Sequence, residues 1–156
     1  LDALLEKEKK RFAGVELHGR TLGVVGLGNI GSLVANMGLA LGMKVIGYDP
    51  AISVEAAWRL SSRVQKVDNL QTLVGMSDFL SLHVPTTPET NGLIDAARIA
   101  AMKDGAYLLN MARGPLVDEA ALLAALDSGK LAGAGTDVFN PEPPNGGSPF
   151  ACLPSR

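Results

Sequence analysis

Gly26-Leu27-Gly28-Asn29-Ile30-Gly31 is the stretch that decides how this chain folds. The short apolar run Thr21-Leu22-Gly23-Val24-Val25 leads into it. Ser32 to Leu41 leads out, with Leu33, Val34, Met37 and Leu41 recurring at helical spacing. The glycines therefore occupy a strand-to-helix turn, the context in which this spacing carries meaning. Gly26 permits a tight turn, Gly28 keeps a Cβ away from an approaching pyrophosphate, and Gly31 lets the helix lie close to the strand. The first N–H groups of the helix and the positive end of its dipole then face the phosphates. A second strand, Lys44-Val45-Ile46-Gly47-Tyr48, ends at Asp49. That βαβ length suits a dinucleotide fold, and a carboxylate at that tip accepts from ribose hydroxyls while repelling a 2′-phosphate. Residues 50–55 supply no Arg or Lys to attract one, so the expected cofactor is NAD and not NADP. The competing reading is a βαβ unit whose glycines serve packing alone.

A chain of 156 residues suits one domain with a real core. Its hydrophobic share of 47% and charged share of 19% fit an α/β domain. A formal net charge of −2 leaves no footprint for nucleic acid or an anionic membrane surface. No apolar run reaches the length of a membrane span, and the sequence carries no secretory signal pattern. The single Cys152 excludes an intrachain disulfide and suits a reducing compartment, so the expected location is the cytoplasm.

Leu1 to Ala13 is predicted as a charged linking helix. Glu6 and Lys10 pair at i,i+4, and Leu1, Leu4, Leu5 and Phe12 make a thin apolar face of the kind that bridges elements or meets a partner. After the first two strands come a helix from Val54 to Ser62, a third strand from Val64 to Val67, and a helix over Leu70 to Met76 capped by Asn69. A fourth strand runs from Asp78 to Val84, stopped by Pro85, and a polar loop follows to Gly92. Asp95 caps a helix from Ala96 to Met102, and Ala106 to Ala112 is the fifth strand. Asp118 opens a helix from Glu119 to Ser128 that Gly129 ends, and Leu131 to Val138 is the sixth strand. Residues 14–139 should thus form a doubly wound α/β domain of the Rossmann type, a six-stranded parallel sheet with flanking helices, followed by a loop-rich tail over 140–156. Ligands bind outside the carboxyl ends of such strands, near the point where strand order reverses.

The polar groups at those ends carry the chemistry. Arg113, in Asn110-Met111-Ala112-Arg113-Gly114-Pro115, stands at the end of strand five. There it either clamps a substrate carboxylate bidentately beside a nicotinamide or pairs at the surface with Asp118 or Glu119. Position alone does not choose. After strand six, Asp137 is placed to accept from a carboxamide and Glu142 to orient a general acid/base, against the plainer reading of two solvated loop acids. Val84 and Pro85 offer an apolar wall for adenine. His83, one of two histidines, titrates near neutral pH as a proton-transfer partner must, although an imidazole at a strand end more often satisfies backbone groups nearby. His18 lies before the first strand, away from this edge.

Gly26 to Gly31, Tyr48-Asp49-Pro50, Leu82-His83-Val84-Pro85, Asn110-Met111-Ala112-Arg113-Gly114, Val117-Asp118-Glu119 and Thr136-Asp137-Val138-Phe139 with Glu142-Pro143 together resemble the D-isomer-specific 2-hydroxyacid dehydrogenases. Six ordered motifs carry the resemblance over nearly the whole chain. Phe12-Ala13-Gly14-Val15-Glu16-Leu17 and Tyr48 to Ser53 are similar to the phosphoglycerate dehydrogenase branch of that family. The resemblance implies an oxidoreductase domain that moves a hydride between NAD and a D-2-hydroxy acid, with D-3-phosphoglycerate, as in serine biosynthesis, the expected substrate. It implies that Asn29 and Ile30 meet the pyrophosphate, Asp49 the adenosine ribose, and Val84 the adenine side. Met111 and Ala112 would meet the nicotinamide half through their backbone. Arg113 would bind the substrate's carboxylate and keto oxygen, Asp137 would hold the carboxamide, and Glu142 would pair with the catalytic histidine.

The family often has Arg at the position of Asn29, and the missing charge is expected to weaken pyrophosphate binding while the backbone cradle remains. The family's catalytic histidine follows the sixth strand in a Pro-His motif, and its substrate domain is built from both chain ends. This sequence stops at Leu153-Pro154-Ser155-Arg156. The expectation is a cofactor domain without its substrate domain, one that binds NAD without turnover by itself. His83 matches a family position that is not the base. Because this domain supplies the family's dimer contact, a homodimer or higher homo-oligomer is expected, with no metal. Two other readings stand beside this one. An NAD-sensing binding protein of the corepressor kind would lack turnover in a full-length form. Another NAD-dependent dehydrogenase class sharing only the fold is opposed by Arg113 and Glu142.

Overall fold

Six strands, β1 (Thr21–Val25), β2 (Lys44–Tyr48), β3 (Gln65–Lys66), β4 (Phe79–Leu82), β5 (Ala106–Asn110) and β6 (Leu131–Thr136), form one parallel sheet in the order β3-β2-β1-β4-β5-β6. The computed structural model describes residues 14–142, so the expected helix over 1–13 and the tail beyond 142 lie outside the described residues. β1 pairs with both β2 and β4, so the chain runs outward to β3, crosses the sheet and resumes on the other side of β1. The gap between β1 and β4 is therefore the switch point at which such a sheet opens a crevice at its carboxyl edge.

Among the described residues five α-helices flank the sheet: α1 (Asn29–Ala40), α2 (Val54–Arg59), α3 (Leu70–Met76), α4 (Ala96–Ala101) and α5 (Glu119–Asp127). Strand side chains alternate between two cores, as the period of two requires. Val25, Ile46, Leu80, Leu82 and Leu108 pack with residues of α3, α4 and α5, while Leu22, Val24 and Val45 pack with Ala35 and Leu39 of α1. Each such large side chain, fully buried, contributes about 1.5–3 kcal/mol. The expected caps form. Asn69 Oδ1 accepts from the N–H groups of Gln71 (2.8 Å) and Thr72 (3.2 Å), Asp95 from Arg98 (2.8 Å), and Asp118 from Ala121 (3.0 Å). Each satisfies an orphan donor worth about 1 kcal/mol.

Several boundaries move. α1 begins at Asn29, three residues before the expected Ser32, with Gly28 as its N-cap residue. The Ser32 hydroxyl donates back to the Gly28 carbonyl oxygen at 2.7 Å and so belongs to the first turn. Gly31 is therefore inside the helix. The buried face of α1 is made of small residues, Gly31, Ser32, Ala35 and Gly38, with Leu39. Leu33, Met37 and Leu41 are 59%, 65% and 58% exposed. Of the four residues at helical spacing Val34 is half-buried against the core, while these three lie on the outer side, because close packing on the sheet selects small side chains. α2 stops at Arg59 instead of Ser62, and β3 shrinks to an exposed two-residue edge. β4 closes with His83 N–H donating to the Val25 oxygen at 2.7 Å, after which Val84 and Pro85 leave the sheet. β5 and β6 each end two residues early, and a 3-10 turn over Gly114–Leu116, absent from the sequence reading, follows β5.

Candidate functional site

The motifs that supply the candidate site residues lie at the carboxyl edge of the sheet. The glycine turn follows β1, Asp49 follows β2, His83 follows β4, Arg113 follows β5 and Asp137 follows β6. Gly26 has φ +86, and a Cβ there would lie 2.7 Å from both the His83 oxygen and Val84 Cγ1. Its N–H donates to the Tyr48 oxygen at 2.9 Å. At Gly31 a Cβ would overlap the Gly26 carbonyl oxygen. Gly28 differs from both. Its φ of −67 suits any residue, and a Cβ there would meet no atom within 4 Å. The fold does not require glycine at that position. The open space is what a phosphate needs to approach the N–H groups at the start of α1.

Asp49 latches the turn to the tip of β2. Its Oδ2 accepts from Leu27 N–H at 2.8 Å and its Oδ1 from Ala51 N–H at 2.9 Å. A carboxylate has about four lone-pair sites, so each oxygen keeps one for a ligand hydroxyl.

Two clefts open along this edge. The larger, about 570 Å³, is lined by Gly26, Gly28 and Asp49 on one side and by Val84, Pro85 and Thr90 on the other. The smaller, about 260 Å³, is lined by Ile30, Met111, Ala112 and Arg113. His83, Val84 and Pro85 border both, so the clefts share one wall. Asn29 and Gly31, at the start of α1, line neither cleft. Asp137 and Glu142 are exposed beyond β6 and line neither cleft.

The wall residue His83 is half-buried, and its Nε2 lies 2.8 Å from the Ser81 hydroxyl. Burial pushes its pKa below the ordinary 6.5, which keeps the ring neutral at physiological pH. Asn110 shapes the exit from β5. Its Nδ2 donates to the Arg113 oxygen at 2.9 Å and its Oδ1 accepts from Ala112 N–H at 3.2 Å, curling Met111-Ala112-Arg113 out of the sheet. The Arg113 guanidinium donates to the Ala112 oxygen at 2.6 Å. Neither acid considered as its surface partner pairs with it. Asp118 caps α5, and Glu119 Oε1 accepts from Asn140 N–H at 2.9 Å, tying down the loop that carries Glu142. Among the described residues no carboxylate forms an ion pair with Arg113.

The sequence reading treated residues 86–92 only as a polar loop. The structure makes this segment a wall of the larger cleft. Thr90 Oγ1 donates to the Pro85 oxygen at 2.7 Å and accepts from Thr87 N–H at 2.7 Å. The available signal was the Thr87-x-x-Thr90 spacing, which favours such a hydroxyl-closed turn. Among the described residues no group of three or more His, Cys, Asp or Glu could hold a metal ion, and no helix is long and apolar enough to cross a membrane.

Residues 3–155 match the family model described as D-isomer specific 2-hydroxyacid dehydrogenase, NAD binding domain. The chain is 49% identical over 139 residues to the D-3-phosphoglycerate dehydrogenase of Methanocaldococcus jannaschii, covering 89% of this chain and 26% of that protein. It thus spans about a quarter of that relative's length. It is 50% identical over 137 residues to the hydroxypyruvate reductase of Thermotoga maritima, covering 88% of this chain and 43% of that one. Its fold superposes on the NAD-dependent formate dehydrogenase of Staphylococcus aureus in complex with NAD with a TM-score of 0.80, at 35% identity, over 90% of this chain and 41% of that chain. With the glycine turn, Asp49 and the strand-five arginine in one edge, this chain belongs to the NAD-binding domain family of the D-isomer-specific 2-hydroxyacid dehydrogenases.

Proposed function

We propose that the chain holds NAD along the carboxyl edge of the sheet and forms the cofactor half of an enzyme that interconverts D-2-hydroxy acids and 2-keto acids. The observation that carries this reading is the pair of clefts sharing the His83-Val84-Pro85 wall, with Asp49 in one and Arg113 in the other. In this reading Asp49 takes the adenosine ribose hydroxyls, and Val84 and Pro85 face the adenine. Gly26, Gly28, Asn29, Ile30 and Gly31 form the diphosphate cradle at the start of α1. Met111 and Ala112 hold the nicotinamide half, and Asp137 accepts from its carboxamide. NAD, when bound, supplies hydride exchange at its nicotinamide ring. Arg113 anchors the substrate carboxylate and polarises the C2 oxygen, and Glu142 orients a proton-exchanging histidine. The His83 ring, held by Ser81, is not assigned that role.

The names of the similar proteins make D-3-phosphoglycerate the first substrate to try and hydroxypyruvate the second. The layout we propose is a linking helix over 1–13, a core over 14–139 and a loop-rich tail, acting in the cytoplasm. By itself the chain is expected to bind NAD without turnover.

Cofactor choice tests the reading. Calorimetric titration should show NAD bound about 100-fold more tightly than NADP, from charge repulsion and lost ribose hydrogen bonds at Asp49. Asp49→Asn, which keeps a carbonyl oxygen for one of the two N–H groups now held, should narrow that gap. Equal or tighter NADP binding by the unaltered chain sinks the assignment.

The outer face of α1 supports a homodimer. Leu33, Met37 and Leu41 are exposed on it, beside an apolar groove of about 430 Å³ lined in part by Leu17, Leu22, Phe79 and Leu109. Exposed apolar surface of this kind marks interaction sites. Sedimentation equilibrium should give twice the chain mass, and Met37→Glu should return a monomer. A wild-type chain that stays monomeric at about 100 μM rules the pairing out.

A further inference from the structure

Arg59 ends α2, and α1 grips it at two points. Asn36 Nδ2 donates to the Arg59 carbonyl oxygen at 2.8 Å, while Asn36 Oδ1 accepts from Ser61 N–H at 3.0 Å. Those two bonds fix the backbone where α2 stops. Two turns nearer the N-terminus of α1, on the same face, Asn29 Oδ1 accepts from Arg59 Nη1. Seven residues of helix rise about 10 Å, so the Arg59 side chain is led along α1 to the glycine turn.

That placement is unfavourable unless an anion joins it. Cations are stabilised at the C-terminal end of a helix, whereas the N-terminal end carries the positive pole and its unsatisfied N–H groups. α1 has no acidic residue in its first turn and no side-chain cap. Among the described residues no carboxylate forms an ion pair with Arg59. Asn29 uses one of the five guanidinium donors. Next to Asn29 is Gly28, where a Cβ would meet nothing within 4 Å. A positive helix pole, a guanidinium with spare donors and an open glycine stand together, and the acid of this turn, Asp49, is bound to the Leu27 and Ala51 N–H groups and not to Arg59.

We propose that Arg59 binds the diphosphate of the dinucleotide, reaching over it from α2 with Asn29 as the rest that aims its guanidinium. The inference depends on the NAD reading above and adds to it a cation from outside the glycine turn. Arg59 carries the charge that Asn29 lacks, and α1 contributes to diphosphate binding through its pole and through the residue it holds.

The test is calorimetric titration of NAD into the 156-residue chain as wild type, Arg59→Gln and Arg59→Lys, at several salt concentrations, with melting temperatures measured alongside. Arg59→Gln should weaken NAD about tenfold, as expected for loss of a charge-assisted contact. Arg59→Lys should recover part of the loss. The fall in NAD affinity with salt should be shallower in Arg59→Gln, because one protein cation facing the diphosphate is gone. The melting temperature should stay within about 3 °C of wild type, since the contact is exposed. Wild-type affinity in Arg59→Gln overturns the proposal. So does a loss of affinity that leaves the salt dependence unchanged, which would mean that Arg59 acts through packing. A folded wild-type chain that binds no NAD overturns the cofactor reading and this inference together, and the wild-type titration alone reveals it.

Discussion

Arg113→Lys, in the protein at its full encoded length, should lower kcat/KM for the proposed 2-hydroxy acid substrate by about 10²–10³-fold and leave NAD affinity within about threefold. The size follows from geometry. Asn110 holds the backbone on both sides of the residue, through Ala112 N–H and the Arg113 oxygen, so the side chain starts from a fixed point. One guanidinium N–H is spent on the Ala112 oxygen, and Arg113 lines the smaller cleft without a carboxylate paired to it among the described residues. A planar fork in that position meets a carboxylate with two parallel bonds. A lysine keeps the charge but loses the plane and the second bond. NAD affinity should barely move, because Met111 and Ala112 would hold the nicotinamide half through their backbone. Steady-state kinetics beside an NAD titration measure both quantities. If only KM rises, Arg113 binds the carboxylate equally in ground and transition states; if kcat falls too, it also stabilises charge on the C2 oxygen. An unchanged kcat/KM would make Arg113 a surface residue without a part in the reaction.

Much of this edge was legible because each strand carries its own punctuation. Asp49 and Pro85 mark where β2 and β4 give out, and Asn69, Asp95 and Asp118 cap the helices that follow β3, β4 and β5. Other features depend on three-dimensional contact and could not be read. Apolar periodicity located α1 but pointed at its exposed side, because Gly31, Ser32, Ala35 and Gly38, which meet the sheet, do not register as hydrophobic. That Glu119 does not pair with Arg113 could not be read either, because its oxygen is taken by Asn140 N–H, a matter of loop packing after β6. Arg59 escaped for a related reason. It lies beyond the residues 50–55 that follow Asp49, and it returns to the glycine turn only through the Asn36 and Asn29 bonds that dock α2 on α1. Asp137 and Glu142 were singled out by motif, and the structure places both in the open beyond β6, outside the two clefts.

Gly28→Val and Gly31→Val should fail in opposite ways, although both alter the same turn. At Gly28 the backbone has φ −67, and an added Cβ meets no protein atom within 4 Å. The fold should lose about 1 kcal/mol, the cost of a poorer N-cap residue, and melt within about 3 °C of wild type. NAD affinity should fall about 100-fold or more, because the isopropyl group occupies the space through which a phosphate reaches the first N–H groups of α1. At Gly31 the added Cβ overlaps the Gly26 carbonyl oxygen, a backbone atom that cannot move freely. Gly26 is itself fixed at φ +86 by its bond to Tyr48 and by the His83 backbone behind it. Relief would require α1 to lift from β1, and such overpacking costs about 3 kcal/mol, a fall of roughly 10 °C in Tm for a chain of this length. Melting curves with and without NAD separate the two cases. Gly28→Val should melt nearly as wild type yet gain little stability from NAD. Gly31→Val should already be destabilised without it. Normal NAD binding by Gly28→Val would move the phosphates off this turn, and wild-type stability in Gly31→Val would mean that α1 does not rest directly on Gly26.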